Sequence, residues 1–108
     1  MDIPSTVVWG QLVRAADSSS NNLVEAEGAS SDADFLSKMR IALREAKESR
    51  TCLRKLGLGS LDNARAVIEL NLEQEADELA AIFATIIIKI ERRLADDKAA
   101  RRRGKLNT

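Results

Sequence analysis

The stretch SDADFLSKMRIALREAKESRTCLRKLGLGS, residues 31–60, decides the fold. Within it Phe35, Met39, Ala42, Ala46, Ser49, Leu53 and Leu56 follow one another at alternating spacings of four and three. An α-helix turns once every 3.6 residues, so this alternation lays all of them along one stripe that another helix can cover. Ser31 can cap the N-terminus, with the acidic Asp34 three residues on, and Gly57 suits the stop, which predicts a helix over 31–56. Only Gly57-Leu58-Gly59-Ser60 then separates this helix from the next apolar pattern. So short a link folds two helices into an antiparallel hairpin, and Ser60 is placed to cap the second one.

Downstream, Leu72, Ala76, Leu79, Phe83, Ile86, Ile90 and Leu94 repeat the four-three alternation and predict a helix over 60–97. Ile82, Ile87 and Ile88 widen that stripe beyond one packing seam, so this helix has to bury more than one face. Upstream, Val8, Leu12, Ala15, Ser19, Leu23 and Ala26 form a third stripe, with Pro4 and Ser5 suited to its start, predicting a helix over 5–27. Its centre, Asp17 to Asn22, is poor helix former, because these short polar side chains compete for backbone hydrogen bonds. Tertiary packing must hold it.

The fold class expected is all-α: an antiparallel helical bundle with three helices in this chain. It forms one domain over 1–97, followed by a basic tail over 98–108. A stripe wider than one seam stays exposed unless a second partner covers it, so self-association is the simplest remedy.

Composition agrees with a helical domain. The 108 residues are 44% apolar and 31% charged, with few glycines, one proline and three aromatics, which disfavours a turn-rich sheet protein. The most apolar run, Leu79 to Ile90, includes Lys89 and falls well short of the roughly 20 residues of a membrane span, so no membrane partner is expected. A single cysteine, Cys52, excludes an intramolecular disulfide, and the N-terminus lacks a signal-peptide pattern, so a cytoplasmic location is expected. The net charge is zero but unevenly spread: Lys98, Arg101, Arg102, Arg103 and Lys105 face no acid within 98–108, which leaves the preceding body net acidic.

Catalytic chemistry finds little support. There is no histidine, which removes the commonest general base and metal ligand along with every Ser-His, Cys-His and Glu-x-x-His arrangement. Glu69, Glu73 and Asp77 share a helical face and read better as solvated acids than as a paired-carboxylate site. Cys52 has cationic neighbours, Arg50, Arg54 and Lys55, that could lower its pKa, yet without a partner base it reads as a small core filler. The Gly57-Leu58-Gly59-Ser60 link lacks the lysine and preceding strand of a phosphate loop. No catalytic residue, cofactor, metal or small-molecule substrate is expected.

Three polar features remain. Gln11, Arg14, Ser18, Asn22 and Glu25 form a seam beside the first apolar stripe, read as an interhelical network in which Arg14 meets a carboxylate and Asn22 bridges backbones, or else as a ligand contact. Arg40, Arg44, Lys47 and Arg54 make a basic face on the second helix. This face either tracks nucleic-acid phosphates, though no aromatics interleave for base stacking, or pairs with the Glu69/Glu73/Asp77 surface of a neighbouring helix or subunit. Arg101, Arg102, Arg103 and Lys105 either complement a helix C-terminus or add phosphate affinity.

Gln11-Leu12, Arg14-Ala15-Ala16, Ser18, Asn22-Leu23, Glu25, Gly28, Ser31, Phe35 and Ile41-Ala42-Leu43 resemble the pattern of the four-helix-bundle proteins encoded in 23S rRNA intervening sequences. The resemblance runs without a gap from Gln11 to Leu53 and takes in Glu48 and Thr51. Ser20 stands where that pattern has proline, Ala26 where it has glycine, and Arg44-Glu45 where it has Gly-Ser. The pattern also carries a further helix ahead of the segment that begins here at Gln11. This chain is accordingly expected to be a three-helix variant, the product of a misplaced start codon, or a protomer whose fourth helix comes from a neighbour. The resemblance implies a ring-like homopentamer without assigned catalysis, and a related branch that serves diversity-generating retroelements as a nucleic-acid-binding accessory to reverse transcriptase. The function expected is a non-catalytic homo-oligomeric scaffold that offers basic faces to RNA or DNA, alone or as adaptor to a nucleic-acid enzyme. The alternative is a protein-only interaction module.

Overall fold

A computed structural model of the chain describes residues 4–106, and these form four helices: α1 Ser5–Glu27, α2 Asp32–Gly57, α3 Leu61–Glu69 and α4 Leu72–Leu106. No strand occurs among the described residues, and the arrangement is the all-α antiparallel bundle that the apolar spacing demands. Helix α2 is its centre. Both α1 and α4 pack along it, α3 lies across its C-terminal end, and no backbone contact joins α1 to α4.

The helix ends follow local chemistry. Ser31 Oγ accepts from the Asp34 amide at 3.1 Å and Ser60 Oγ from the Asn63 amide at 3.3 Å, so each serine satisfies a donor that its helix leaves orphaned. The Pro4 carbonyl accepts from the Val7 and Val8 amides to start α1. The weak centre of α1 is held from outside, where Ser19 Oγ donates to the Ala42 carbonyl of α2 at 2.9 Å. Gly57 departs from its expected role. It is the last residue of α2 rather than a left-handed stop beyond it, and the chain turns through Leu58, whose amide bonds back to the Arg54 and Lys55 carbonyls.

The apolar pattern over 60–97 is divided between two helices at Asn71, whose φ of 53° is the one positive value among described non-glycine residues. Asparagine tolerates the left-handed region better than other residues with a Cβ. Here it closes α3 by donating its amide to the Ile68 carbonyl, and opens α4 by accepting from the Glu75 amide. Its side chain also donates to Gln74 Oε1 at 3.3 Å. Asn71→Ala is expected to lower stability by about 1 kcal/mol in urea denaturation, because alanine keeps the Cβ but loses the side-chain bond to Gln74 and asparagine's tolerance of this region, whereas Asn71→Gly, which removes the Cβ, stays within about 1 kcal/mol of the parent.

Two apolar clusters fill the interior. One gathers Ala26, Leu36, Met39, Ala42, Ala46, Ala80, Phe83 and Ile87, where α1, α2 and α4 converge. The other gathers Val8, Cys52, Leu53, Leu56, Val67 and Ala76 beneath α3, and there Trp9 Nε1 donates to Asn63 Oδ1 at 3.3 Å. On α2 the expected stripe is the buried one from Met39 to Leu56, and Phe35 packs partly buried beside it. On α4 the core seam is rotated from the expected one, since Ala76, Ala80, Phe83 and Ile87 face α2 while Leu79 and Ile82 stay 49% and 53% exposed. Small Ala76 and Ala80 let α2 approach closely, and among the described residues no helix covers Leu79 and Ile82.

Past Leu94 every described residue of α4 is exposed, so about 12 residues, or roughly 18 Å at the 1.5 Å helical rise, project beyond the bundle. The basic stretch expected as a tail is therefore a continuation of α4 through Leu106.

Candidate interaction surfaces

The antiparallel register of α2 against α4 sets the fate of the basic face. Arg54 Nε donates to Glu73 Oε1 at 2.8 Å and Arg50 Nη1 to Asp77 Oδ1 at 2.8 Å, while Arg40 lies 3.7 Å from Glu91. Arg93 of α4 reaches back to Asp32 at 2.8 Å, so a ladder of ion pairs runs the length of the α2–α4 contact. Each rung is partly exposed and worth less than about 1 kcal/mol, but together they fix register and neutralise Arg40 and Arg54. Glu73 and Asp77 are the acids that meet this face, whereas Glu69 ends α3 away from it. Arg44 and Lys47 are exposed between the rungs and carry no ion pair among the described residues.

The polar seam of α1 is spread across separate contacts. Arg14 Nη1 donates to Glu45 Oε2 of α2 at 3.4 Å, and Glu25 lies 3.1 Å from the Lys38 ammonium. Asn22 donates within its own helix to the Ser18 carbonyl at 2.8 Å and so does not bridge two backbones. Gln11 is half-buried and takes no part in these bonds. The seam fastens α1 to α2 at two points and assembles no cluster.

Cys52 is buried, and burial pushes its thiol above the ordinary range, with Glu48 adding to the rise and Lys55 and Arg14 opposing it. The basic neighbours that suggested a lowered pKa are outweighed by desolvation. No group of three acids or cysteines able to hold a metal ion occurs among the described residues, and no described helix is long and apolar enough to cross a membrane.

Two features stand out once the pairs are accounted for. The first is the projecting end of α4, where Lys98, Arg101, Arg102, Arg103 and Lys105 are all exposed within a helical span of about 11 Å. Arg101, Arg102 and Arg103 make no hydrogen bond or ion pair among the described residues. The second is a groove of about 450 Å³ between α1 and α4, floored by α2. Leu12, Ala16 and Leu23 form one wall, Leu72, Leu79 and Phe83 the other, and Ala46 and Ser49 the floor. Its one charged lining residue is Glu75. The lining is almost wholly apolar, with small residues on the floor and larger ones on the walls. The α4 wall of this groove is drawn from the expected four-three stripe, through Leu72, Ala76, Leu79 and Phe83.

The family profile described as 23S rRNA-intervening sequence protein matches residues 5–85, which takes in α1 to α3 and the buried part of α4 up to Thr85. No curated protein and no solved structure matches the chain.

Proposed function

The chain belongs to the 23S rRNA-intervening sequence protein family, and we propose that it is a non-catalytic, cytoplasmic homo-oligomeric scaffold that presents the basic end of α4 to RNA or DNA, as adaptor to a nucleic-acid enzyme. The observation that carries this reading is the set of exposed cations on the projecting end of α4, where Lys98, Arg101 and Arg102 share one side of the helix and Arg103 stands beside them. A helical row of cations can meet successive phosphates without ordering a disordered tail, which lowers the entropic cost of binding. Arg44 and Lys47 lie further down the molecule and extend the same chemistry, while Arg40 and Arg54 are engaged with Glu91 and Glu73.

Fluorescence anisotropy with short RNA and DNA duplexes between 50 and 200 mM salt tests the reading. Affinity is expected to fall steeply with salt, and the R101Q/R102Q/R103Q variant to reduce the slope of log K against log salt by about 3. An unchanged slope removes α4 from the interface. The engagement of Arg40 and Arg54 in ion pairs favours a second reading, a protein-only interaction module. It predicts no retention on nucleic acid at 150 mM salt and a protein partner that stays bound after nuclease treatment.

A further inference from the structure

We infer that the projecting end of α4 binds duplex DNA by lying in its major groove; the inference rests on the nucleic-acid reading proposed above and names both the partner and the way it is held. Every residue from Ala95 to Leu106 is exposed, so the whole circumference of this stretch of helix is open to a ligand.

The cations are not confined to one side. Successive residues of an α-helix are about 100° apart, which puts Lys98, Arg101, Arg102 and Lys105 within a sector of about 100°. Arg103 lies about 160° round from Arg101, almost on the opposite side. A phosphate backbone laid along one face of the helix would meet the first set alone. A helix between two phosphate walls uses both sides.

The remaining positions suit a narrow space. Ala95, Ala99, Ala100 and Gly104 fill most of the circumference that the cations leave. An α-helix with its side chains measures about 10–12 Å across and the major groove of B-form DNA is about 12 Å wide, so small residues ease a close fit. The projecting length of roughly 18 Å spans about five base pairs at 3.4 Å each. Asp96 and Asp97 are exposed at the base of the projection, where their charge repels phosphate and limits entry to the stretch from Lys98 onward.

Other nucleic acids fit these features less well. Single strands are held largely by stacking on aromatic side chains, and α4 has none beyond Phe83. The major groove of an RNA duplex is deep and narrow, and its shallow minor groove is recognised through 2′-hydroxyls. No asparagine or glutamine stands between Leu94 and Leu106 to read adenine, so most contacts fall on phosphate and binding tolerates many sequences.

Fluorescence anisotropy of the full chain tests the inference with three duplexes of about 20 base pairs and one sequence, at about 100 mM salt. The probes are plain DNA, DNA with glucosylated 5-hydroxymethylcytosine, whose sugars occupy the major groove, and RNA. Plain DNA is expected to bind about tenfold more tightly than either of the others. Ala100→Pro keeps every cation and breaks the helix beyond the last packed residue, so it is expected to lower DNA affinity about tenfold while the variant unfolds at the parent's temperature. If glucosylated DNA or RNA binds as tightly as plain DNA, or Ala100→Pro binds like the parent, while R101Q/R102Q/R103Q still weakens binding, the groove inference is wrong and the nucleic-acid reading stands. If no probe is retained, the nucleic-acid reading itself fails.

Discussion

Phe83→Ala is expected to cost about 3–5 kcal/mol, a large share of the stability of a domain this small. Phe83 is 6% exposed and serves two surfaces, the upper core with Met39, Ala42 and Ala80 and the wall of the groove. Truncation removes the ring's transfer energy and leaves a cavity open to the groove, which water can enter more readily than a sealed void. Urea unfolding followed by circular dichroism should show a lower midpoint with an m-value near the parent's.

Leu56→Ala is the second large effect, about 2–5 kcal/mol, and it probes the opposite end of the molecule. Leu56 is 2% exposed in the cluster that joins Val8, Cys52 and Val67. Helix α3 buries only Val67, so its attachment depends on this cluster and on the Trp9–Asn63 bond. Amide exchange should therefore rise in residues 61–69 at urea concentrations where α2 is still protected. Uniform loss of protection across all helices would show instead that α3 and the bundle unfold as one unit.

What the sequence revealed, and what it hid, follows from the range of each interaction. The start of α2 was legible because Ser31 caps the Asp34 amide within three residues of itself, and its end was legible only in position, since Gly57 closes the helix without acting as a left-handed stop. The division at Asn71 was not, because the apolar spacing from Leu72 onward continues that of α3 closely enough to read as one helix. Only the left-handed backbone of Asn71 separates them. On α4 two seams satisfy the four-three alternation, one through Ala76, Ala80, Phe83 and Ile87 and one through Leu79, Ile82 and Ile86. Spacing alone cannot say which seam meets α2, since that depends on where the hairpin places α2. The excess width of the stripe corresponds to Leu79, Ile82 and Ile88, which stay about half exposed among the described residues.

Charge shows the same limit. The cations of α2 and the acids of Glu73 and Asp77 were both visible as helical faces, with two candidate uses. Their pairing rests on the register that puts Arg54 beside Glu73 and Arg50 beside Asp77, which no local rule specifies. The polar seam of α1 was legible as a line of residues, and the contact of Arg14 with Glu45 has the chemistry anticipated for it. Asn22 turns to its own helix and donates to the Ser18 carbonyl one turn back.

The central claim is that this helical chain works as an oligomer, and its absolute mass in solution tests that most directly. Light scattering after size exclusion, at low and at high salt, is predicted to give at least twice the 11.8 kDa of the chain in both conditions, because the half-exposed residues Leu79, Ile82 and Ile88 of α4 are apolar. A mass of 11.8 kDa that persists as protein concentration rises would contradict the account.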